Sequence, residues 1–419
     1  RLPDSGNGRN TAASTLSRLL APGGAAPFAA TLVVGRALRA FVDGYVAVLL
    51  PAYLLALGFD VWSVGVLSTA TLLGSALLTL AVGAWGHRFA QRRLLAAAAL
   101  LMIATGIGFA GLSQFWPLLA VAFVGTLNPS SGDVSVFLPL EHAQLAGAAQ
   151  GDARTSLFAR YSLLATLAAA CGALAAALPA WLAERAGIEL LTALRLMFVG
   201  YSVAGVVLLW LYRRLPDPPA GQAEAKTALG PSRGIVFRLA ALFSLDAFAG
   251  GLVVNSLMSL WLMQRFGLSL AAAGSFFFWT GLLSAASMLA APWVARRIGL
   301  LNTMVFTHLP ANVALVGAAF APTLPLALAL LLLRAALSQM DVPTRTAYVM
   351  SAVTPAERAA AASVTAVPRS LAAALSPSLA GGLFAAGWLA APLAACGLLK
   401  IVYDLALWAS CRKHRLQDR

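Results

Sequence analysis

The feature that most constrains this 419-residue chain is a succession of apolar runs, each long enough to cross a bilayer. A helix needs about 20 apolar residues to span the hydrocarbon core. Windows of that size fall at about 34–57, 61–82, 94–113, 117–140, 155–179 and 192–212, then 239–263, 269–291, 303–321, 325–350, 361–384 and 389–410. Their Leu, Ala and Val runs lack period-two alternation, which argues for twelve helices and against a transmembrane β-barrel. Composition agrees, with 60% of residues hydrophobic and 11% charged. An average soluble domain carries about 25% charged residues, and so few charges cannot clothe a soluble fold of this size. Disorder is excluded on the same grounds. The chain reads as an all-α integral membrane protein.

The net charge of +14, from 29 basic and 15 acidic residues, would suggest nucleic-acid binding in a soluble protein. Its distribution points to topology instead. With the N-terminus inside, nineteen basic residues fall in cytoplasmic segments, and only Arg185, Arg195 and Arg265 fall outside. Cytoplasmic loops collect Lys and Arg, so both ends are expected in the cytoplasm of a multi-pass protein of the inner or plasma membrane. Residues 1–33 read as a flexible polar tail without the short apolar core and cleavage site of a signal peptide. Residues 34–212 form the expected first six-helix bundle, and 239–410 the second. Between them, 213–238 reads as a linker rich in Pro and Gly (Pro216, Pro218, Pro219, Gly221, Gly230, Pro231). A short tail, 411–419, follows.

The two halves repeat. Adding 209 to a first-half number carries Gly58 to Gly267, Gly65 to Gly274, Ser75 to Ser284, Arg88 to Arg297, Arg160 to Arg369 and Gly172 to Gly381. Asp133 matches Asp341 one residue short of that register. Duplicated six-helix halves are a transporter architecture, with the site at the midplane between them.

Local motifs carry a resemblance. The loop after span 2 reads Gly83-Ala-Trp-Gly-His87-Arg88-Phe-Ala90-Gln91-Arg92-Arg93, and its copy after span 8 reads Pro292-Trp-Val-Ala-Arg296-Arg297-Ile-Gly299. With twelve spans, a 6+6 repeat and both ends inside, this resembles the major facilitator superfamily over about 34–410. The family's loop 2–3 signature has Asp where His87 stands and Gly where Ala90 stands. The segment Pro355-Ala-Glu357-Arg358 also resembles a common family loop. Ser376-Pro-Ser-Leu-Ala-Gly381-Gly382 is similar to half of the Gly-Pro motif of drug antiporters, displaced from span 5 to span 11. In span 5 itself, Cys171-Gly172 reads most simply as close helix packing.

Charges inside the spans carry the functional signal, because each costs at least ~2.5–3.5 kcal/mol at the bilayer centre. Asp43, Asp133, Asp246 and Asp341 fall one apiece in spans 1, 4, 7 and 10, the helices that the resemblance implies line a central cavity; Asp404 falls in span 12. Arg39 lies four residues before Asp43, and Arg345 four after Asp341, so each pair shares a helix face. Such pairs either neutralise each other or take part in coupling. Arg334 is expected to pair with Asp341 or with a carboxylate of another helix. Asn128-Pro129-Ser130-Ser131-Gly132-Asp133 and Pro343 are poor helix formers in mid-membrane, where discontinuous helices form binding sites. The proton-coupling and cavity set is therefore Asp43, Asp133, Asp246, Asp341, Arg39, Arg334 and Arg345. Tyr45, Asn128, Asn255, Trp261 and Gln339 are possible substrate contacts. Arg88, Glu141, Arg160, Glu357 and Arg369 are candidates for ion pairs that close a cytoplasmic gate.

These observations predict a secondary transporter, monomeric in function, that exports a small organic solute in exchange for protons. Export rests on the resemblance to the efflux branch. An uncoupled facilitator or a symporter of the same fold is the first alternative, and a polytopic enzyme or sensor the second. His87, His142 and His308 sit apart with no nucleophile motif beside them, so an enzyme is not expected. No phosphate-binding Gly-x-x-x-x-Gly-Lys loop occurs. Cys171, Cys396 and Cys411 suggest no disulfide framework, and no His–Cys spacing suggests zinc, so neither cofactor, metal nor nucleic acid is expected.

Overall fold

The computed structural model describes residues 20–130, 135–216, 230–354 and 357–412. Among them are sixteen α-helices and no strand. Eight precede the linker: α1 (Ala29–Ala56), α2 (Val61–Trp85), α3 (Gln91–Gly111), α4 (Phe115–Val124), α5 (Phe137–Ala148), α6 (Gly151–Ala175), α7 (Leu178–Ala186) and α8 (Leu190–Tyr212). Eight follow it: α9 (Arg233–Gly251), α10 (Asn255–Phe266), α11 (Leu270–Ile298), α12 (Leu300–Ala319), α13 (Leu324–Ser338), α14 (Asp341–Ser351), α15 (Arg358–Ala385) and α16 (Ala391–Cys411).

Among the described residues, ten segments are long and apolar enough to cross a membrane, against twelve expected. The fourth span falls short because it breaks after Val124, leaving Phe115–Val124 as a short apolar helix. The eleventh, α15, has the length (28 residues) but carries Pro368 and Pro377 together with Arg358, Arg369 and several serines. The fifth and seventh spans, read from hydropathy as single runs, are broken into helix pairs, and so is the tenth, where Pro343 pointed to a discontinuity. The break in the seventh follows Gly250-Gly251, which are poor helix formers. That in the tenth lies at Gln339-Met340, just before Pro343.

The internal repeat has a structural counterpart in its turns. Gly58 and Gly267 both hold positive φ, at 86° and 65°, a backbone conformation that costs glycine little. Two residues later, Asp60 caps α2 by accepting from the Ser63 amide at 2.9 Å, and Ser269 caps α11 by accepting from Ala272 at 3.2 Å. The same turn and cap are thus built 209 residues apart.

The halves meet on the face that carries these turns. Helices α2 and α15 cross where a Cβ on Gly65 would stand 2.8 Å from Gly381 Cα, and one on Gly381 would stand 2.9 Å from Gly65 Cα. Only a backbone without side chains fits there. The symmetry-related crossing brings Gly274 of α11 against the Ala173 backbone of α6, beside Gly172. Apolar helices gain little by hiding from lipid, so close packing of small residues supplies the contact. Hydrogen bonds join the same face: Ser68 with Ser256 (3.1 Å), Ser259 to the Val48 carbonyl (2.8 Å), and the Ser378 amide to Thr69 (2.9 Å).

Replacing Gly381 with leucine is expected to force this face apart. A cysteine placed at Ser256, which is fully buried, should then react with a water-soluble maleimide several times faster than in the parent protein. Equal protection would show that the crossing is not the seal.

Candidate functional site

The broken spans converge on one space. Between the halves lies a cavity of about 330 Å³, within the range of small-ligand sites. Three of the breaks place a residue on its wall: Ser130 from the fourth span, Val253 from the seventh and Gln339 from the tenth. Irregular backbone is tolerated at membrane depth where it lines such a space. Helix α1 contributes Arg36, Ala40, Gly44 and Val48, and α6 contributes Tyr161, Ser162 and Thr166. From the second half come Asn255 and Met258 of α10, Phe276, Phe277, Thr280 and Ser284 of α11, and Arg334 and Ser338 of α13. The wall therefore mixes hydroxyls and amides with an aromatic face, and it carries two guanidinium groups.

Behind the wall, each half holds a buried charge cluster. In the first, Glu141 of α5 is fully buried and receives both terminal nitrogens of Arg39, at 2.7 and 2.8 Å. The hydroxyls of Tyr161 and Tyr212 also donate to it. Arg39 in turn sits 4.3 Å from the Phe137 ring centroid. Four donors on one carboxylate leave little of its accepting capacity unused.

The second cluster is less evenly matched. Asp246 of α9 receives the Lys400 ammonium of α16, and Arg345 Nη1 of α14 lies 3.5 Å from its other oxygen. Arg345 Nη2 donates to Asp341, one turn back on the same helix. Among the described residues, Asp341 Oδ1 and Arg345 Nη1 are buried with no hydrogen-bond partner. One turn from Lys400, Asp404 takes His308 at 2.8 Å and the Asn312 amide at 2.9 Å, both from α12.

This arrangement has relatives of known kind. The sequence model of the Major Facilitator Superfamily matches residues 32–377. The chain belongs to that superfamily. An uncharacterised membrane protein of Saccharomyces cerevisiae is 23% identical over 339 residues, covering 72% of this chain and 76% of its own length. Among solved structures, the nucleoside transporter NupG superposes with a TM-score of 0.69 at 15% identity, covering 93% of this chain and all of its own. The inward-open xylose transporter XylE of E. coli gives 0.69 at 15% identity, covering 90% and 95%. A bacterial homologue of the iron transporter ferroportin, facing inward, gives 0.66 at 19% identity, covering 91% and 98%. These superpositions establish a shared fold.

Within the superfamily fold the residues expected from sequence separate into groups. Arg334, Asn255 and Gln339 lie on the cavity wall. Asp341 and Arg345 pair as their spacing suggested, and Asp246, for which no partner was expected, joins them behind the wall. Arg39 gives both terminal nitrogens to Glu141 rather than to Asp43, because α5 presents a carboxylate across the bundle that accepts both at once. Asp341 goes to Arg345 and not to Arg334. Asp43 is buried on α1, off the cavity wall, and Asp133 lies outside the described residues. Tyr45 and Trp261 also turn away from the cavity: the Tyr45 hydroxyl donates to the Met197 carbonyl at 2.9 Å, and Trp261 is fully buried against Phe266. Asn128 is spent locally, its Oδ1 accepting from the Ser130 amide and hydroxyl at 3.1 and 2.7 Å where the fourth span breaks.

Of the expected gate residues, both carboxylates are engaged inside their own half in this conformation. Glu141 serves Arg39 and the tyrosines. Glu357 accepts from the Gly230 amide (2.6 Å) and from the Ser232 and Thr354 hydroxyls (each 2.6 Å), tying the end of the linker to the loop before α15. Arg88 is exposed on the turn after α2, Arg160 lies on α6, and Arg369 on α15 is exposed with Arg345, Asp246 and Asp341 as its main charged neighbours. Sequence reasoning missed the pairing of Lys400 with Asp246 and the His308–Asn312–Asp404 group. Lys400 and Asp404, four residues apart inside one span, were the signal available for both.

Two measurements follow. Arg39→Met leaves Glu141 buried without its cation and is expected to destabilise the protein by about 3–5 kcal/mol. The double variant Arg39→Met/Glu141→Leu should recover much of that loss in thermal unfolding; failure to recover any would mean that the pair does more than neutralise itself. The hydrogen bonds of Ser232 and then Thr354 hold Glu357 down to about 2, from an ordinary value of 4.5. A depressed carboxylate stabilises the fold above its unfolded value and loses that contribution as pH falls through the folded one. The linker clasp should therefore weaken between about pH 4.5 and 2, and Glu357→Gln should remove that acid-dependent step from the unfolding profile.

Proposed function

We propose that this protein is a secondary transporter that carries a small organic solute across the plasma or inner membrane by alternating access, exporting it in exchange for protons. The observation that carries the reading is the cavity itself. Both halves and three broken spans wall it, and we read the small-residue crossings as its seal on one face. Rocking of the halves about those crossings would open that face and close the other. The sealed face is the outer one on the charge asymmetry of the loops, with both termini cytoplasmic. Arg160 and Arg369, symmetry mates on α6 and α15, are our candidates for closing the opposite end, with Arg88 at its rim.

The second-half cluster supports proton coupling. Asp246 is shared by Lys400 and Arg345, and Arg345 is shared by Asp246 and Asp341. A shift of Arg345 from one carboxylate toward the other leaves the first short of a cation in a low-dielectric setting, where it gains by taking a proton. A D-xylose–proton symporter is among the solved structures of this fold. We assign the coupling role to Asp246 and Asp341, with Asp43 and Asp133 as further candidates from the sequence. One copy of the chain contains the whole site and suffices for function.

Proteoliposomes loaded with a pH-sensitive dye test this. A transported solute should change the internal pH in the parent protein, and the direction of the coupled gradient separates antiport from symport. Asp246→Asn and Asp341→Asn should abolish the proton signal while solute counterflow persists. Proton-driven transport unchanged in both variants would refute the assignment.

A further inference from the structure

The described charges on the cavity wall are cations. Arg36 enters from α1 in the first half and Arg334 from α13 in the second, while no described carboxylate lines the space. The described buried acids sit elsewhere: Glu141 with Arg39, Asp246 and Asp341 with Lys400 and Arg345, Asp404 with His308, and Asp43 off the wall. Arg334 is partly buried, its Nε is enclosed without a hydrogen-bond partner, and it forms no ion pair with any described residue. A lysine in this setting sheds its cost by losing a proton. A guanidinium keeps its charge and presents a planar fork that fits an oxyanion. Opposite these cations, Phe276 and Phe277 pack edge to face with centroids 5.1 Å apart, and Met258 and Leu331 extend the apolar wall.

We propose that the transported solute is an organic anion, a carboxylate or phosphate monoester with an apolar body. Its oxyanion would be held by Arg334, and its body by Phe276, Phe277 and Met258. The proposal rests on the transporter reading above and adds to it the charge class of the substrate. Because Arg334 comes from the second half and Tyr161, Ser162 and Thr166 of the same wall from the first, a bound anion touches both, which is what a ligand needs in order to bias their closure.

The test uses the purified full chain in detergent. Thermal unfolding is followed with 3-phenylpropionate, its neutral amide and its amine, with hexanoate and its amide and amine, and with phenyl phosphate. Ligand binding to the folded state raises the unfolding temperature by mass action. Saturable stabilisation by the acids, and none by the amides or amines, is expected. The ratio of phenyl phosphate to phenylpropionate affinity decides between phosphate and carboxylate. Arg334→Gln should weaken acid binding by about ten- to a hundred-fold, as loss of a charge-assisted hydrogen bond implies. Arg334→Lys, which keeps charge but loses the fork, should fall between the parent and Arg334→Gln. Equal stabilisation by amines or amides, stabilisation by no acid, or acid binding unchanged in Arg334→Gln would overturn the proposal. The preference of the parent protein decides the matter even if a variant does not fold. Acid binding without counterflow of labelled acid in proteoliposomes would fault the transport reading and leave the anion site standing. Counterflow of an amine or amide without acid binding would do the reverse.

Discussion

A charge buried among apolar helices must be matched by donors or by an opposite charge, and this condition sets how the helices are arranged. Each strongly apolar helix here can rotate about its axis at little cost in lipid, since one apolar face is much like another. Buried ion pairs remove that freedom. Glu141 draws together α1, α5, α6 and α8, because its four donors come from Arg39, Tyr161 and Tyr212. In the second half Asp246, Arg345 and Lys400 do the same for α9, α14 and α16, and Asp404 adds α12. The polarity is inverted between the halves. The first helix of the first half carries the cation and the broken fourth span the carboxylate; in the second half the first helix carries the carboxylate and the broken fourth span the cation.

The two clusters differ in how fully they are satisfied, and that difference bears on function. A carboxylate with four donors has no nearby alternative of equal energy, so the Glu141 cluster acts as a brace. Arg39 and Arg345 both leave Nε buried without a partner, but in the second half Asp341 Oδ1 and Arg345 Nη1 are unpartnered as well, and Arg345 stands between two acids. A group with two comparable arrangements is what a conformational cycle requires, because a ligand or a proton need supply only the small difference between them. In the reading proposed above, rigid packing at the Gly65–Gly381 crossing and loose electrostatics in the second half are complementary: one would give a pivot, the other a load that moves.

Much of the fold was legible in the sequence because hydropathy reports span length directly and a duplicated chain reports its own symmetry. Gly58 and Gly267 were visible as a repeat, and they are the same left-handed turn built twice. Gly65 and Gly381 were visible only as members of separate repeat pairs; that they touch each other is a tertiary fact no spacing rule contains. The same limit explains the site. Counting four residues along a helix pairs Arg39 with Asp43, yet the guanidinium reaches Glu141, 102 positions away. A local rule ranks only near neighbours, and the rotation of a helix whose faces are all apolar leaves no periodic trace. For that reason Tyr45 and Trp261, though on cavity helices, point elsewhere, whereas Gln339 reaches the wall because it marks a break. The break at Asn128-Pro129 could be read from its residues. That after Gly250-Gly251 was hidden among glycines common throughout the chain.

Satisfaction also separates structural from functional charge more cleanly than burial does. Arg39 and Arg334 are both arginines inside apolar spans, and sequence position alone gives no ground for treating them differently. Arg39 is fully buried, stacked on Phe137 and bonded twice to one carboxylate, so any movement of it costs two charge-assisted hydrogen bonds. Arg334 faces a cavity shared by both halves, and the described carboxylates of the interior are already engaged with other partners or lie behind the wall. The most economical completion of its hydrogen bonds comes from outside the protein. A transporter needs such a group on the wall of its cavity: one whose electrostatic demand is met when a solute is bound and unmet when it leaves.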